Sequence, residues 1–351
     1  MNEFDEVFQQ KRLYSFITGS ALDVLKGIPN DTIDCVITSP PYWQLREYDN
    51  NDNPNEIGNE GDFRQYIAKL TDIFLEIKRI LTNQGSLWLN LGDKYRDKEL
   101  MGMPWRVALS LMDNGWILRN DVIWDQMKGT QSCKDRLRDV YEHIFHFVKK
   151  KKYFYDHDEI RIHPVRKPKK YNGELVSATG VSGKKYKLQI ENSTVLTDEE
   201  KSSATKALND TIDDMEKGRI VDFRMTIRGQ QRTYHSDNQK MSGRAKELIT
   251  KGYFILRMGA NGHIPNDIWR ITPEDTWRSD THYAVFPEEL LINPIKATCP
   301  LNGIVLDPFS GTGSTVYTAV KLNRRGIGID LSDHYNEIAR KRIKDVCRNL
   351  F

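Results

Sequence analysis

The chain has 351 residues, of which 38% are hydrophobic and 29% charged, and its formal net charge is +3. This composition predicts a globular protein with a large core, built either as one big domain with an insertion or as two domains. It contains no run of about 18 apolar residues and no apolar signal-peptide segment, so we expect a cytoplasmic location and no membrane partner.

Apolar runs that predict β-strands recur along the chain between stretches that predict helices. These runs are LYSFIT (13–18), IDCVI (33–37), SLWLNL (86–91), WILRNDVIW (116–124), HIFHFV (143–148), GIVLD (303–307) and RGIGID (325–330). Between the second and third runs, YIAKLTDIFLEIKRIL (66–81) places its apolar residues at helical spacing and predicts a crossover helix. The alternation predicts an α/β sheet with helices on its faces.

The region from about residue 160 to 265 interrupts this alternation with a polar tract rich in Lys and Gly. Its middle, TDEEKSSATKALNDTIDDMEKGRIVDF (197–223), predicts an amphipathic helix. Residues 149–260 hold 24 Lys and Arg against 15 Asp and Glu, so the positive charge is concentrated there. We therefore expect an inserted, polyanion-binding domain at 161–263, beside a catalytic body formed by residues 1–160 and 264–351.

The cysteine and histidine patterns do not predict a metal site. The four cysteines are scattered and form no CxxC pair, so neither a zinc site nor a disulfide framework is indicated. His143 and His146 lie within an apolar predicted strand, which favours packing over metal ligation. We expect reduced, mostly buried thiols and no bound metal.

The strand at 33–37 runs directly into TSPPYW (38–43), the first informative motif. Two consecutive prolines cannot continue a central strand, because neither donates a backbone hydrogen bond. A plain turn is the alternative interpretation. A rigid corner with a hydroxyl and aromatic rings, placed after a buried strand, also suits a ligand-binding site.

The second informative motif is VLDPFSGTGSTVYTAV (305–320), which predicts a strand, a tight glycine loop and a helix start. Such a loop lets the backbone approach a ligand, and the helix N-terminus offers free amide groups. Asp330 ends the next predicted strand, where α/β folds hold a ribose diol. The loop lacks the lysine of a phosphate-binding loop, and Asp307 before it suits a cation. A phosphate-free nucleoside that carries a sulfonium fits both facts.

With both motifs in this order, the sequence resembles the permuted (beta-group) family of S-adenosylmethionine-dependent DNA amino-methyltransferases. The resemblance is carried by TSPPYW, DPFSGTGST (307–315), GIGIDLS (326–332), HYAVFPEELL (282–291), FITGSALDVLKGIP (16–29), KDRLRDVYEHIFHFVKKKKYFYD (134–156) and NDIWRI (266–271). It implies a Rossmann-like methyltransferase sheet with helices on both faces, circularly permuted, plus an inserted target recognition domain. It also implies double-stranded DNA as substrate and S-adenosylmethionine as cofactor.

The resemblance implies a catalytic role for four residues, namely Ser39, Pro40, Pro41 and Tyr42. In the family, the first motif residue and the carbonyl of the first proline accept the two hydrogens of the target amine. Tyr42 would stack on a base flipped out of the duplex, an interaction worth roughly 1–3 kcal/mol. Trp43 either walls the pocket or packs in the core. Serine in the first position favours cytosine N4, and adenine N6 is the alternative.

Further residues are implied for the cofactor and predicted for DNA. The cofactor residues are Asp307, Pro308, Phe309, Gly311, Thr312 and Gly313 for the methionine part, Asp330 for the ribose, Ser20 and Ala21 for the adenine, and His282 and Phe286 before the loop. Packing in the core is the alternative for Phe309. The predicted phosphate partners are Lys151, Lys152, Arg166, Lys167, Lys169 and Lys170, with solvated surface as the alternative. Side chains suited to base edges are Arg228, Gln230, Gln231 and Arg232.

Other function classes fit the sequence less well. A catalytically silent DNA-binding regulator has no use for both intact motifs, and a dinucleotide oxidoreductase should carry GxGxxG. An RNA or protein methyltransferase is disfavoured by the basic insertion and the permuted order. We therefore expect a site-specific DNA methyltransferase, either standing alone or in a restriction-modification system whose endonuclease acts separately.

Overall fold

The computed structural model describes residues 3–45, 56–127, 133–229, 243–273 and 286–350. Its helices are α1 (Glu3–Phe8), α2 (Ala21–Lys26), α3 (Phe63–Ile80), α4 (Met103–Asp113), α5 (Gly183–Glu191), α6 (Asp198–Glu216), α7 (Arg244–Lys251), α8 (Glu288–Thr298), α9 (Ser314–Lys321) and α10 (Asp333–Leu350). Its strands are β1 (Tyr14–Thr18), β2 (Ile33–Thr38), β3 (Leu81–Leu91), β4 (Tyr95–Arg96), β5 (Glu99–Leu100), β6 (Ile117–Asp125), β7 (Tyr141–Val148), β8 (Lys169–Tyr171), β9 (Glu174–Val176), β10 (Ile220–Ile227), β11 (Tyr253–Gly259), β12 (Ile268–Arg270), β13 (Ile304–Asp307) and β14 (Arg325–Asp330). Within these ranges, no helix has the length and apolar character needed to cross a membrane.

A sheet of eight strands, in the order β1-β14-β13-β2-β3-β7-β6-β12, forms the centre of the first part of the molecule. Of these eight strands, β7 runs antiparallel to both of its neighbours, and the other pairs are parallel. Seven strands therefore end at one edge, which we call the carboxyl edge, and β7 begins there. Open α/β sheets bind their ligands at this edge.

The beginning and the end of the chain interleave in this sheet. β13 and β14 come late in the sequence, yet they lie between β1 and β2. Val305 and Leu306 of β13 pair with Cys35 and Val36 of β2, so the ends of these two strands are adjacent. The Pro-Pro corner and the glycine loop thus follow neighbouring strands, and the predicted permuted Rossmann-like sheet is confirmed.

Helices cover both faces of the sheet, because side chains that alternate along each strand pack into different cores. Val36 and Leu306 lie in the core that includes α3, whereas Cys35 and Val305 lie in the core that includes α8. One face of α3 is buried, as its helical spacing predicts. Each large apolar side chain buried this way contributes roughly 1.5–3 kcal/mol, which fixes the register of the strands.

Residues Arg161–Pro265 form a second compact unit, whereas Met1–Ile160 and Asn266–Phe351 form the first. The second unit has its own hydrophobic core, in which α5 and α6 pack on the antiparallel pair β10–β11. Thr197 and Glu200 form a reciprocal capping box at the start of α6, which satisfies amide groups that the helix leaves free. A core of its own makes this segment a module carried between β7 and β12.

Three elements differ from the sequence predictions. The helix predicted within 197–223 is α6, which ends at Glu216. Gly218 has φ 72°, so the backbone turns there before β10 begins. β3 begins at Leu81, earlier than predicted, because Leu81 pairs with Ile33 rather than extending α3. The strand β12 was outside the predicted set, since three residues are too few to show an alternation of period two.

Candidate active site

The carboxyl edge joins the Pro-Pro corner to the glycine loop through one buried carboxylate. Thr38, the last residue of β2, donates its hydroxyl hydrogen to Asp307 Oδ1 at 2.7 Å. Thr315, in the first turn of α9, donates to Asp307 Oδ2 at 2.7 Å, and the Phe309 amide donates to Oδ1 at 3.1 Å. Asp307 is only 5% exposed, so its carboxylate fixes the corner, the loop and the helix relative to one another.

The glycine loop carries negative charge that its surroundings stabilise incompletely. Burial raises the pKa of Asp307 to about 6, although its hydrogen bonds act in the opposite direction. Burial also raises the pKa of Asp330, and the Asp330 charge adds to the rise at Asp307. Ser310 Oγ is buried and, among the described residues, has no hydrogen-bond partner. Two carboxylates whose hydrogen-bond donors are neutral, next to a hydroxyl without a partner in the described structure, fit a cationic ligand that bears polar groups.

Asp330 holds the glycine loop against the end of β14. Its Oδ2 accepts from the Gly311 amide at 2.8 Å, and its Oδ1 accepts from the Ser332 amide at 2.9 Å. Its main-chain carbonyl accepts from the Gly19 amide at 2.9 Å, just before Ser20, the N-cap of α2. The carboxyl ends of β1 and β14 therefore bring together the residues predicted for the ribose and the adenine, and Ala21 at the start of α2 is buried beside them.

Both backbone conformation and packing favour glycine at position 313. It has φ 76°, and an added Cβ would lie 2.7 Å from Ala339 Cβ and 2.8 Å from the ring of Phe16. A side chain here would push α9 away from α10 and β1. Of the other loop residues, Pro308 and Thr312 are buried. Phe309 is half-buried and packs against the core that includes α3.

A cluster of polar side chains surrounds the Pro-Pro corner; we call Ser39, Tyr42, Asn90, Gln126 and Glu142 the Ser39 cluster. The Ser39 hydroxyl donates to Tyr42 Oη at 3.2 Å, and Tyr42 Oη donates to Glu142 Oε2 at 2.6 Å. Asn90 Nδ2 lies 2.8 Å from Tyr42 Oη and 2.6 Å from Glu142 Oε2. Gln126 Nε2 donates to Glu142 Oε1 at 2.9 Å. Tyr42 is therefore fixed at its hydroxyl end.

Three members of the Ser39 cluster were not predicted from the sequence: Asn90, Gln126 and Glu142. Burial raises the pKa of Glu142, and it raises that of Tyr42 well above its ordinary value, so the phenol stays protonated and donates. Asn90 is 2% exposed, and its Oδ1 has no hydrogen-bond partner within the described ranges. A lone amide in the apolar strand SLWLNL was the available signal, since a buried polar side chain needs a partner.

The two aromatic residues of TSPPYW, Tyr42 and Trp43, pack in different surroundings. An added Cβ on Gly92 would lie 2.7 Å from Tyr42 Cε2, so the Tyr42 ring lies directly against the main chain of Gly92. Trp43 is 1% exposed, and its indole nitrogen donates to the Glu60 carbonyl at 2.7 Å. Of the two interpretations of Trp43, packing in the core is therefore the one that the structure supports.

Residues in or next to two groups predicted to contact DNA make contacts within their own unit. Lys149, just before Lys151 and Lys152, donates to the carbonyl of Leu81 at the start of β3. That is the sheet edge opposite to the carboxyl edge, roughly 30 Å along the strand from the Ser39 cluster. The Arg228 guanidinium donates to Glu200 and to two carbonyls of its own unit.

The remaining predicted residues are exposed, packed or outside the described ranges. Arg166, Lys167, Lys169 and Lys170 are all solvent-accessible, and Lys170 pairs with Glu216 at 3.0 Å. Phe286 is half-buried and packs near Trp124. Outside the described residues lie Gln230, Gln231, Arg232 and His282.

The two strand histidines have protein partners. His146 stacks on Trp88 with ring centroids 4.2 Å apart, and burial lowers its pKa to about 3. His143 Nδ1 lies 2.9 Å from Asp121 Oδ1. In the described part of the chain, no group of three or more His, Cys, Asp or Glu side chains could hold a metal ion.

Comparisons with known proteins agree on one family. The family model of the N6/N4 methyltransferases, DNA methylase, matches residues 33–341. The type II methyltransferase M.SfiI of Streptomyces fimbriatus is 28% identical over 92% of this chain and 89% of its own length. The type II methyltransferase M.SmaI of Serratia marcescens is 27% identical over 95% of this chain and 91% of its own length.

Solved structures share the fold. The PvuII DNA methyltransferase (cytosine-N4-specific) aligns with a TM-score of 0.57 at 16% identity, covering 94% of this chain and 86% of that protein. A putative DNA modification methylase of Thermus thermophilus, complexed with S-adenosyl-L-methionine, aligns with a TM-score of 0.51 at 18% identity and covers 94% of both chains.

The raised pKa of Asp307 predicts a pH-dependent stability for the ligand-free protein. Because folding raises this pKa from 3.8 to about 6, the carboxyl contributes stability below pH 3.8 that is lost as the pH rises through 6. Urea unfolding measures the free energy of unfolding of wild type and of Asp307→Asn at each pH. The wild-type value minus the variant value should fall by about 3 kcal/mol between about pH 3.5 and 7.5.

The exposed Asp113, at the end of α4, gives the matched control. Asp113→Asn removes a carboxylate of the same charge from the surface, so a pH trend that both variants share would reflect net charge alone. A difference between wild type and Asp307→Asn that stays constant with pH would contradict the burial of an ionisable group at the centre of the site.

Proposed function

The chain belongs to the family of N6/N4 DNA methylases, and from that premise we propose that it methylates the exocyclic N4 amine of cytosine in duplex DNA. The observation that carries the proposal is the Ser39 hydroxyl, which donates to Tyr42 at the end of a buried strand next to the glycine loop. S-adenosylmethionine is the cofactor that the family implies. It supplies an electrophilic methyl group on a positively charged sulfur.

We assign the cofactor to the glycine loop and the ends of β1 and β14. The loop residues Asp307, Pro308, Phe309, Gly311, Thr312 and Gly313 would border the methionine part, Asp330 the ribose, and Ser20 and Ala21 the adenine. The assignment is supported by the buried carboxylate of Asp307 and the half-buried carboxylate of Asp330, whose pKa values are raised by desolvation that a bound cation would offset. The unused Ser310 hydroxyl adds a polar contact. Roles for His282 and Phe286 remain predictions.

The Ser39 cluster presents acceptors to an amine. Ser39 has one hydroxyl hydrogen, which Tyr42 accepts, and Asn90 Nδ2 donates to Oγ at 3.4 Å, so one lone pair of Oγ is left to accept a hydrogen from a substrate. Asn90 Oδ1 is a second acceptor without a partner in the described structure. Together with the Pro40 carbonyl, which the family resemblance implies as an acceptor, these groups would orient the amine lone pair away from the protein.

The choice of cytosine N4 rests on the first residue of the motif. Ser39 is a neutral acceptor, which the family resemblance associates with cytosine, and the fold of the PvuII cytosine-N4-specific enzyme is shared. Tyr42 would stack on the flipped base, which offsets part of the few kcal/mol that unpairing requires. Methylation of adenine at N6, within the same family, is the second candidate.

We propose that the unit Arg161–Pro265 binds DNA and selects its sequence. The support is its own core, which lets it vary independently of the catalytic body, and its accessible basic residues. Relatives along almost the whole chain carry the name type II methyltransferase. We therefore infer a role in restriction-modification, with a cognate endonuclease that acts separately.

The identity of the product gives the most direct test. Unmodified plasmid DNA incubated with the protein and S-adenosylmethionine, then digested to nucleosides, should contain N4-methylcytidine by mass spectrometry. Ser39→Ala should lower kcat by roughly 10²-fold and leave cofactor binding unchanged, because it removes a contact to the reacting amine. N6-methyladenosine as the sole product would overturn the cytosine assignment, and full activity of Ser39→Ala would overturn the role of Ser39.

The ribose assignment predicts a binding defect. Calorimetry in the presence of a chelator should show one S-adenosylmethionine site per chain, and Asp330→Ala should weaken binding by at least about 10-fold, since a charged hydrogen-bond acceptor is lost. Asp333→Ala, which removes a nearby carboxylate that contacts Thr18 instead, is the matched control and should bind normally. Equal affinities for wild type and Asp330→Ala would remove the assignment.

Two pairs of lysines, Lys169 with Lys170 and Lys151 with Lys152, should differ in their contribution to DNA affinity. Replacing Lys169 and Lys170 by Ala should weaken binding to plasmid fragments of any sequence and reduce the salt slope by roughly 2, about 0.9 per lost phosphate contact. The same change at Lys151 and Lys152, at the sheet edge away from the site, should have a smaller effect. A loss of cofactor affinity in the first variant would mean that its unit belongs to the catalytic core.

A further inference from the structure

We propose that Glu142 is the final acceptor of a proton relay, Ser39–Tyr42–Glu142, which removes the proton that the target amine sheds on methylation. The proposal rests on the proposed function, since it describes how that same site completes its reaction. Glu142 would act through Tyr42 and Ser39, and it is therefore a positioning residue that does not touch the substrate.

The hydrogen bonds from Ser39 to Tyr42 and from Tyr42 to Glu142 run in one direction. Ser39 donates to Tyr42 at 3.2 Å, and Tyr42 donates to Glu142 Oε2 at 2.6 Å, so each hydroxyl hydrogen points towards the carboxylate. A chain of hydroxyl groups oriented this way can accept a proton at its first oxygen and release one from its last. It also keeps Ser39 as an acceptor when the amine arrives.

The surroundings of Glu142 keep it an acceptor. Both of its oxygens receive hydrogens, Oε2 from Tyr42 and Asn90, and Oε1 from Gln126. Neither amide titrates, so only Tyr42 can pass a proton to it along one of these hydrogen bonds. Burial raises the pKa of Glu142, which increases its affinity for a proton relative to an exposed glutamate.

Among the described residues, the charged group that acts on Glu142 is Asp139, on which the charges of Asp93 and Arg136 act in turn. The Asp139 charge raises the pKa of Glu142 further, and its own pKa is raised mainly by burial. Tyr66 lies beyond Tyr42 and donates its hydroxyl hydrogen to the Pro41 carbonyl. The charge of His143, on the same strand, acts on Asp139. Asp139 is the group that could imitate the titration of Glu142.

Methyl transfer and the relay together conserve atoms and charge. The amine nitrogen gains the methyl carbon, the pair of electrons of the broken carbon–sulfur bond stays on sulfur, and the nitrogen is left with a positive charge. One N–H proton moves to Ser39 Oγ, the Ser39 proton moves to Tyr42 Oη, and the Tyr42 proton moves to Glu142 Oε2. The products are a neutral methylated amine and a neutral carboxylic acid, which reionises once the base leaves.

The variant Glu142→Gln keeps the shape of the side chain and removes the proton acceptor. With enzyme in excess over unmodified plasmid DNA, the rate of a single methylation turnover should fall by roughly 10²-fold. Affinities for S-adenosylmethionine and for DNA should stay within about 2-fold. The control is Glu76→Gln on α3, where the carboxylate pairs with Arg79 away from the cluster, and it should keep the wild-type rate.

A pH profile separates proton transfer from a structural role. The acceptor must be ionised, so the wild-type rate should rise with pH through the raised pKa of Glu142, and this acid limb should disappear in Glu142→Gln. The pKa itself can be measured on the protein alone, from the carboxylic-acid band in wild-type minus Glu142→Gln infrared spectra. Its midpoint should coincide with the acid limb, and Asp139→Asn should shift both downward together.

Two further variants test the connection through Tyr42. Tyr42→Phe keeps the ring and breaks the relay, so its rate loss should equal that of Glu142→Gln, and the double variant should be no slower. Asn90 and Glu142 both contact Tyr42 Oη, so the exchange Asn90→Asp with Glu142→Gln returns a carboxylate to that hydroxyl. It should recover at least about 10-fold of the lost rate.

The outcomes distinguish the relay from the proposed function. If wild type methylates DNA and Glu142→Gln keeps its rate and its acid limb, the relay alone is overturned. Losses that add in the double variant, or an exchange that recovers nothing, would also overturn it, because Glu142 would then only support the fold. A wild-type protein that methylates no DNA would overturn both proposals.

Discussion

One buried carboxylate, that of Asp307, holds together the three segments that form the candidate site. Removing an ionised carboxylate from water costs several kcal/mol unless hydrogen bonds compensate. Here the donors come from Thr38 at the end of β2, Thr315 in α9 and the Phe309 amide. The contact to Thr38 spans 269 positions of the sequence. The charge is therefore satisfied only when the corner, the loop and the helix are all in place.

The parallel sheet makes the permuted chain order unimportant for the site. β13 and β14 come late in the sequence, but side by side with β1 and β2 they end at the same carboxyl edge. Loops that follow neighbouring parallel strands necessarily meet there. The antiparallel β7 contributes through its first residues instead of its last, which is how Glu142 reaches the same edge.

Electrostatics divides this edge into two parts. On the glycine-loop side, the buried Asp307 and the half-buried Asp330 are carboxylates whose hydrogen-bond donors in the described structure are neutral, an arrangement that favours a cationic ligand. On the corner side, Glu142 receives hydrogens from neutral donors and orients the Tyr42 hydroxyl. In the function that we propose, a cation is held beside a corner that accepts hydrogens, which is the combination that methyl transfer to a weakly nucleophilic amine requires.

The sequence by itself determined the fold class, the Pro-Pro corner and the glycine loop with Asp330, because these signals are contiguous or follow strand periodicity. It left Trp43 undecided, since burial depends on residues distant in the chain. Asn90 and Glu142 lie far apart in sequence and meet only because β3 and β7 pair antiparallel. Only the tertiary structure shows that this cluster forms, which sheet edge lies near Lys151, and which contacts Arg228 makes within its unit. Each of these depends on long-range pairing that local sequence patterns do not encode.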